Sequence, residues 1–460
     1  MVCEEAKKTS RKGAKTQRKL TTEGRANTQP AVGVVTNRTT PVKWSVTTPT
    51  TGSDFTSGIA SEATQSPNIR LGIDVIASEA KRSSRFYLKC RHTIQQKCNL
   101  ATSMHNQNRV DHIITGLGLA GAALALHLIA RGKTIAVFDE PSINRASRVA
   151  AGLFNPISGK LMVKTWRADD LFPYLIDFYR NAEQITSQKF FQPRNIYIPF
   201  RSIEEQNNWI SRGDEAAIKP FIKRIMTSSS FDKQVKDELG GVLLDKSGYL
   251  QVGTYLDAVR ELLRSKNYLF GKMHHDRLRL DSDTVRYEDV VADSIVFCEG
   301  LHARNNPITN WLPVSPLKGE TIDVRFSQEL GAIYNRGAYA VPLGDLTYRI
   351  GATFDRSVEP GITAQGREDL EQKLRSLIRL PYDVIGQNWG FRPTTRDRRP
   401  MVGAHPEFRN VFIFNGMGTK GVSQAPYFSR VLADYLEGKV SIGPEVNISR
   451  FYALSSKSRD

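Results

Sequence analysis

DHIITGLGLAGAALALHLIARGKTIAVFDE, residues 111–140, decides the fold. Two short apolar runs, His112–Thr115 and 134–138, carry β-branched residues and read as strands. Between them, Leu119 to Arg131 is rich in Ala and Leu and reads as a helix. The connecting turn places Gly116, Gly118 and Gly121 in G-x-G-x-x-G spacing. The first glycine permits the sharp turn, the second admits a pyrophosphate against bare backbone, and the third lets helix and strands pack closely. Leu117, Leu119 and Ala120 then contribute backbone N–H groups at a helix N-terminus, the positive end of its dipole. Asp139 closes the second strand, where a carboxylate accepts hydrogen bonds from ribose hydroxyls and disfavours a 2′-phosphate. The complete strand–turn–helix–strand context makes this a dinucleotide-binding unit, although the fingerprint alone does not separate FAD from NAD.

The chain has 460 residues, enough for more than one domain, and a formal net charge of +17. That charge is unevenly spread. Residues 1–103 hold 17 basic and 7 acidic side chains, so most of the excess sits in under a quarter of the length. This stretch is rich in Thr, Ser, Lys and Arg without a period of 2 or 3.6, and is expected to be a disordered basic extension. It lacks the apolar run of a secretory signal, and no stretch reaches the roughly eighteen apolar residues of a membrane span. Met104 lies where a compact dinucleotide-binding protein would begin. Three of the four cysteines fall in the extension and only Cys298 in the body, without metal-ligand spacing, so no metal site and a reducing, cytoplasmic setting are expected.

Beyond Glu140, Ser147 precedes the small run Ala150-Ala151-Gly152, which can pass close beneath a planar ligand. Lys160 and Lys164 follow, and Lys164 is a candidate substrate contact. Residues 168–185 form an amphipathic helix, and Ser202 with Glu205 make a capping box for a helix over 202–212. Residues 248–266 read as a short strand and a helix, and 294–298 as a strand ending at Glu299-Gly300, where the backbone meets a ligand or another strand. A hairpin is expected around Gly344-Asp345. Near the C-terminus a strand over 410–415 runs into Gly416-Met417-Gly418-Thr419-Lys420-Gly421, with a helix over 426–436. Strand, glycine loop and helix N-terminus thus occur at both ends of the body. One extended ligand touched at both ends fits, and FAD is such a ligand.

Four stretches carry a resemblance to a known family: GLGLAG with VFD; SRVAAGLFNP (147–156); VPLGDLTYRIGAT (341–353); and GFRPTTRDRRPMVG (390–403) with NGMGTKG (415–421). Over about 108–440 the chain resembles FAD-dependent oxidoreductases of the D-amino acid oxidase and glycine oxidase type. The resemblance implies an α/β fold in which a discontinuous Rossmann-like FAD-binding domain (about 108–190, 245–305 and 385–440) is interleaved with an antiparallel-sheet α+β substrate domain (about 191–244 and 306–384), followed by a tail over 441–460. It implies oxidative deamination of an amino acid or secondary amine by hydride transfer to flavin N5, with no dedicated acid–base residue. It places Arg392 on the substrate carboxylate, a grip that a planar guanidinium suits. It places Gly116–Gly121, Asp139, Ser147, Ala151, Gly152, Gly300, Gly416, Gly418, Lys420 and Gly421 around the cofactor. Covalent members carry a cysteine near the C-terminal loop; Cys298 is elsewhere, so noncovalent FAD is expected. Expected partners are a small amine or amino acid and an electron acceptor, either oxygen or a quinone or redox protein; nucleic acid is not expected. The alternatives are a tRNA-modifying FAD oxidoreductase and a non-enzymatic nucleic-acid binder acting through the basic extension.

Overall fold

The computed structural model describes residues 109–142, 144–158, 162–231 and 233–457. The extension 1–103, Met104 and Lys160 lie outside the described residues.

The first strand, Arg109–Thr115, lies inside an eight-stranded sheet and pairs in parallel with Ile135–Phe138 on one side and Val290–Phe297 on the other. Leu269–Phe270 extends the first side in parallel, and Val411–Asn415 runs parallel to Val290–Phe297 on the second. Chain order therefore reverses between Arg109–Thr115 and Val290–Phe297. In open α/β sheets a ligand crevice forms at the carboxyl ends of strands flanking such a reversal. Those ends here are Gly116 and Cys298-Glu299.

Helix Leu119–Ala130 is buried along Leu119–Leu128 because it is covered on every side. Its partners include helix Gly421–Leu436, which begins five residues before the expected start, so that Pro426 lies within its second turn. The proline has no N–H to give Val422 O, four residues back, and Tyr179 Oη donates to that carbonyl instead, at 2.9 Å. His127 fastens the packing: its Nδ1 lies 2.9 Å from both Ala123 O and Ser429 Oγ, and its Nε2 lies 2.7 Å from Tyr174 Oη. Tyr174 belongs to helix Ala168–Thr186, the amphipathic segment read from sequence.

A second eight-stranded sheet runs in the order 382–394, 315–326, 347–351, 339–344, 333–335, 196–199, 241–244, 222–226. It is antiparallel except where Ile333–Asn335 runs beside Ile196–Pro199. Helix Ala364–Leu377 covers one face through Leu370, Leu374 and Leu377. The expected hairpin is present as Tyr339–Gly344 and Thr347–Gly351.

Three expectations shift. The expected boundary at 385 falls inside strand Tyr382–Thr394, which belongs wholly to the second sheet. The expected tail is packed: Val446 and Ile448 are buried and Val402 N donates to Val446 O. At the capping box, Ser202 Oγ accepts from Glu205 N, but the Glu205 carboxylate reaches back to Arg201 N, one residue before the cap.

Candidate active site

The glycine turn is built by backbone. Gly116 has φ +87°, and a Cβ there would stand 2.7 Å from Cys298 O, so the strand end leaves no room for a side chain. A Cβ on Gly121 would overlap Gly116 O, which joins helix to turn. Gly118 differs, since its added Cβ would meet only Ser147 Oγ, at 3.2 Å. Leu119–Ala130 carries no acidic residue in its first turn, and Gly118 at its N-cap offers no side chain. Ser147 Oγ accepts from Leu119 N at 3.3 Å. An approach open at Gly118 and a helix end without acidic neighbours fit a pyrophosphate. Thr115 Oγ1, buried at the end of the first strand, has no hydrogen-bond partner.

Asp139 sits where the sequence placed it, with its carboxylate buried and engaged. Oδ1 accepts from Leu117 N at 2.8 Å and from Arg145 Nη1 at 2.7 Å; Oδ2 is bonded to Arg260 Nη2. Neither arginine was singled out from the sequence. Arg260 lies on helix Val252–Ser265, more than a hundred residues away along the chain.

The second part of the site is one face of the second sheet. Register brings Arg392 opposite Leu317, Gly390 opposite Gly319, Asn388 opposite Thr321, Gly351 opposite Thr321, and Tyr339 opposite Gly351. Side chains alternate along strands, so Gly319, Thr321, Gly351, Gly390, Arg392 and Tyr339 share a face. The three glycines leave a shallow floor. The Arg392 guanidinium lies over Gly319, where a Cβ would collide with it. Arg392 Nη1 donates to Lys318 O and Thr353 O, each at a long 3.3 Å, and the Phe354 ring lies 4.9 Å from Cζ. No carboxylate pairs with Arg392 among the described residues. Asp397, the acid five residues on in the same stretch, accepts from Arg450 Nε at 2.9 Å. Burial pushes the Arg392 guanidinium below its ordinary value, which leaves it a cation. Thr321 Oγ1 on this face is buried without a partner. Burial pushes the Tyr339 hydroxyl up, so it stays a neutral donor.

Strand Tyr382–Thr394 ties the two parts together. At Gly390 an added Cβ would meet Asn144 O at 3.2 Å and Val149 Cγ2 at 3.3 Å, so the segment around Ser147 rests on the sheet. Arg349, paired with Asp323 at 2.8 Å, also donates to Val149 O at 3.2 Å. Gly418 N donates to Pro393 O at 3.0 Å, which brings the C-terminal glycine loop to the residue after Arg392. Gly416 and Gly418 have positive φ, and an added Cβ on Gly300 would meet only Pro393 Cγ, at 3.8 Å. Ala151 and Gly152 are buried, and an added Cβ on Gly152 would overlap Leu250 O at the end of strand Gly248–Leu250.

The two lysines go elsewhere. Lys164 Nζ donates to Asp169 Oδ2 at 2.7 Å, and its contacts do not join it to Arg392. Lys420 is the N-cap residue of Gly421–Leu436, and its Nζ extends toward Asn155 O and Thr165 Oγ1, 3.5 and 3.4 Å away. Burial of the Lys420 ammonium lowers its pKa. Tyr339, Thr321 and the glycine floor escaped the sequence reading. Their one local signal was glycine inside strands, a mark of close approach by another group.

Known proteins resemble this chain in sequence and fold. A family profile described as FAD dependent oxidoreductase (DAO) matches residues 111–435. Glycine oxidase from Geobacillus kaustophilus is 26% identical over 370 residues, which span 72% of this chain and 94% of that enzyme. A tRNA 5-methylaminomethyl-2-thiouridine biosynthesis bifunctional protein from Idiomarina loihiensis is 23% identical over 356 residues, but the match spans only 57% of its length. In solved structures, glycine oxidase from Bacillus cereus superposes with a TM-score of 0.62 at 18% identity, covering 72% of this chain and 96% of its own. With the profile matched from Asp111 to Tyr435, across both sheets and both glycine turns, the chain belongs to the FAD dependent oxidoreductase family.

Proposed function

We propose that the protein oxidises the C–N bond of a small amino acid or secondary amine, with FAD held noncovalently. One observation carries the reading: a half-buried guanidinium, with no carboxylate partner among the described residues, lies on a sheet face lined by glycines beside the cofactor elements. A cation so placed binds a carboxylate in two-pronged fashion. The glycine oxidase relative supports the same substrate class.

In this reading Gly116–Gly121 and the first turn of Leu119–Ala130 hold the pyrophosphate, with Asp139 on the ribose and Ser147, Ala151, Gly152 and Gly300 along the cofactor. Gly416, Gly418 and Gly421 bring the second helix end toward the flavin, and Lys420 braces that loop from behind. Bound FAD supplies the hydride acceptor. Arg392 fixes the substrate carboxylate, and the Tyr339 hydroxyl and Thr321 Oγ1 stand on the same face to orient it. Phe354, whose ring lies 4.9 Å from the guanidinium carbon, adds a cation–π contact to it. Holding the donor carbon in one orientation is the protein's main contribution to rate.

The test is Arg392→Met. A charge-assisted pair contributes about 1.5–3 kcal/mol, so KM for a carboxylate substrate should rise about tenfold to a hundredfold with FAD content unchanged. Lysine should restore part of the loss, and amines without a carboxylate should be indifferent. Equal effects on both substrate types would make Arg392 structural and the protein a simple amine oxidase.

A further inference from the structure

We propose that the two arginines on Asp139 have opposite roles: Arg260 permanently aims the carboxylate, and Arg145 is an exchangeable occupant that leaves when the cofactor ribose enters. This rests on the reading of Asp139 as the ribose-binding residue.

Acceptor capacity limits what Asp139 can hold. An ionised carboxylate offers about four lone-pair positions. Three are filled, by Leu117 N, Arg145 Nη1 and Arg260 Nη2. A ribose diol brings two hydroxyl donors and needs two positions. One of the three donors must go.

Leu117 N cannot leave, because it belongs to the glycine turn fixed between Thr115 and Gly118. Arg260 is nearly as buried as the carboxylate, with side chains 9% and 1% exposed. Its Nε is buried without a partner among the described residues, so breaking its bond to Asp139 would strand a buried charge. Arg145 differs in each respect. Its side chain is 23% exposed, its remaining hydrogen bond is to the Glu140 carbonyl, and it lies in the turn before the short helix Ala146–Val149. Water can solvate its guanidinium at small cost once it swings out. The same turn carries Ser147, whose hydroxyl sits on Leu119 N, so the exchange occurs beside the pyrophosphate turn.

Opposite roles give opposite signs. Stripped of flavin and titrated with FAD, the full-length Arg145→Met variant should bind about three- to tenfold tighter than wild type, because no competing donor must be displaced. Arg260→Met should bind about tenfold to a hundredfold weaker, with Arg260→Lys between the two. ADP, which carries the ribose and pyrophosphate without the flavin, should follow the same order when used to displace FAD. The double variant is the decisive arm. Removing Arg260 also frees an acceptor position, so in its background the gain from Arg145→Met should vanish; a gain that persists there would show that Arg145 does not compete for the carboxylate. Should Arg260→Met fail to fold, Arg260→Lys paired with Arg145→Met carries the same comparison. Weaker FAD binding by Arg145→Met would overturn the proposal by making Arg145 a cofactor ligand, and unchanged binding by Arg260→Met would overturn the aiming role. Asp139→Asn separates the two levels: unchanged ADP affinity there would refute the ribose assignment itself, whatever the arginines do.

Discussion

At Gly121 an added Cβ would run into the Gly116 carbonyl oxygen; at Gly319 it would run into the Arg392 guanidinium. Both positions crowd an added methyl group, but the obstacles differ in kind. The first is backbone, held by the ladder that joins Arg109–Thr115 to its two neighbours. The second is the end of a long side chain on long hydrogen bonds. The cofactor turn is shaped by main chain from one contiguous stretch, and the substrate face by side chains on separate strands. Rigidity is therefore built into the first region. In the second, position can be adjusted without breaking the fold.

The comparison is broken most severely at Gly121. Gly121→Ala should cost about 3 kcal/mol, since neither clashing atom can move away. The expected outcome is a lower melting temperature and protein purified with little flavin, read by calorimetry and by absorbance. A stable, fully yellow Gly121→Ala protein would show that the turn yields as the side chain does.

Acid probes the same region from behind. Burial drives the His127 imidazole down to about 3 from an ordinary 6.5, so folded His127 stays neutral where the unfolded chain takes up a proton. A depressed folded pKa gives stability that is complete above about pH 6.5 and is lost as pH falls toward 3. At pH 5 the loss should be about 2 kcal/mol. His112, also lowered by burial, acts in the same direction, while His275, raised by its Glu299 partner, opposes both. The difference between wild type and His127→Asn, followed as melting temperature between pH 8 and 5, isolates the His127 share. A parallel pair of curves would rule it out.

The contrast between the regions also explains what could be read in advance. Gly116, Gly118, Gly121 and Asp139 lie within thirty residues, and their roles depend on local strand, turn and helix geometry, which local pattern specifies. Arg145 and Arg260 were invisible because nothing local announces an arginine that reaches Asp139 from the next turn or from a distant helix. Arg392 was found only through the family resemblance carried by its motif. Tyr339, Thr321 and Gly319 meet it through the register of four strands, and a one-residue slip would turn them all away. Lys164 and Lys420 show the limit of a local reading from the other side. A lysine in a suggestive stretch carries no sign of direction, and one points to Asp169, the other to Asn155 and Thr165. The helix after Gly418 was started too late because Pro426 was read as its first turn, and nothing local shows that Tyr179 Oη supplies the donor the proline lacks.

The smallest expected effect sharpens the comparison most. Gly319→Ala places a methyl group where the Arg392 guanidinium now lies. The guanidinium is held by two carbonyls at 3.3 Å and a ring face, contributions of about 1 kcal/mol or less each, so it will move rather than let the strand separate. The ladder between Ser315–Phe326 and Tyr382–Thr394 needs no change, because backbone hydrogen bonds lie in the plane of the sheet and the methyl projects from it. Melting temperature and flavin content should match wild type, within about 0.5 kcal/mol. What changes is the aim of the charge. A displaced guanidinium keeps its attraction but loses two-pronged geometry, so KM for a carboxylate substrate should rise about three- to tenfold, less than in Arg392→Met. In the Arg392→Met background the same substitution should add nothing to KM, since the methyl then has no guanidinium to displace. If Gly319→Ala instead lost flavin or melted early, the substrate face would be as rigid as the cofactor turn, and the division between them would fail.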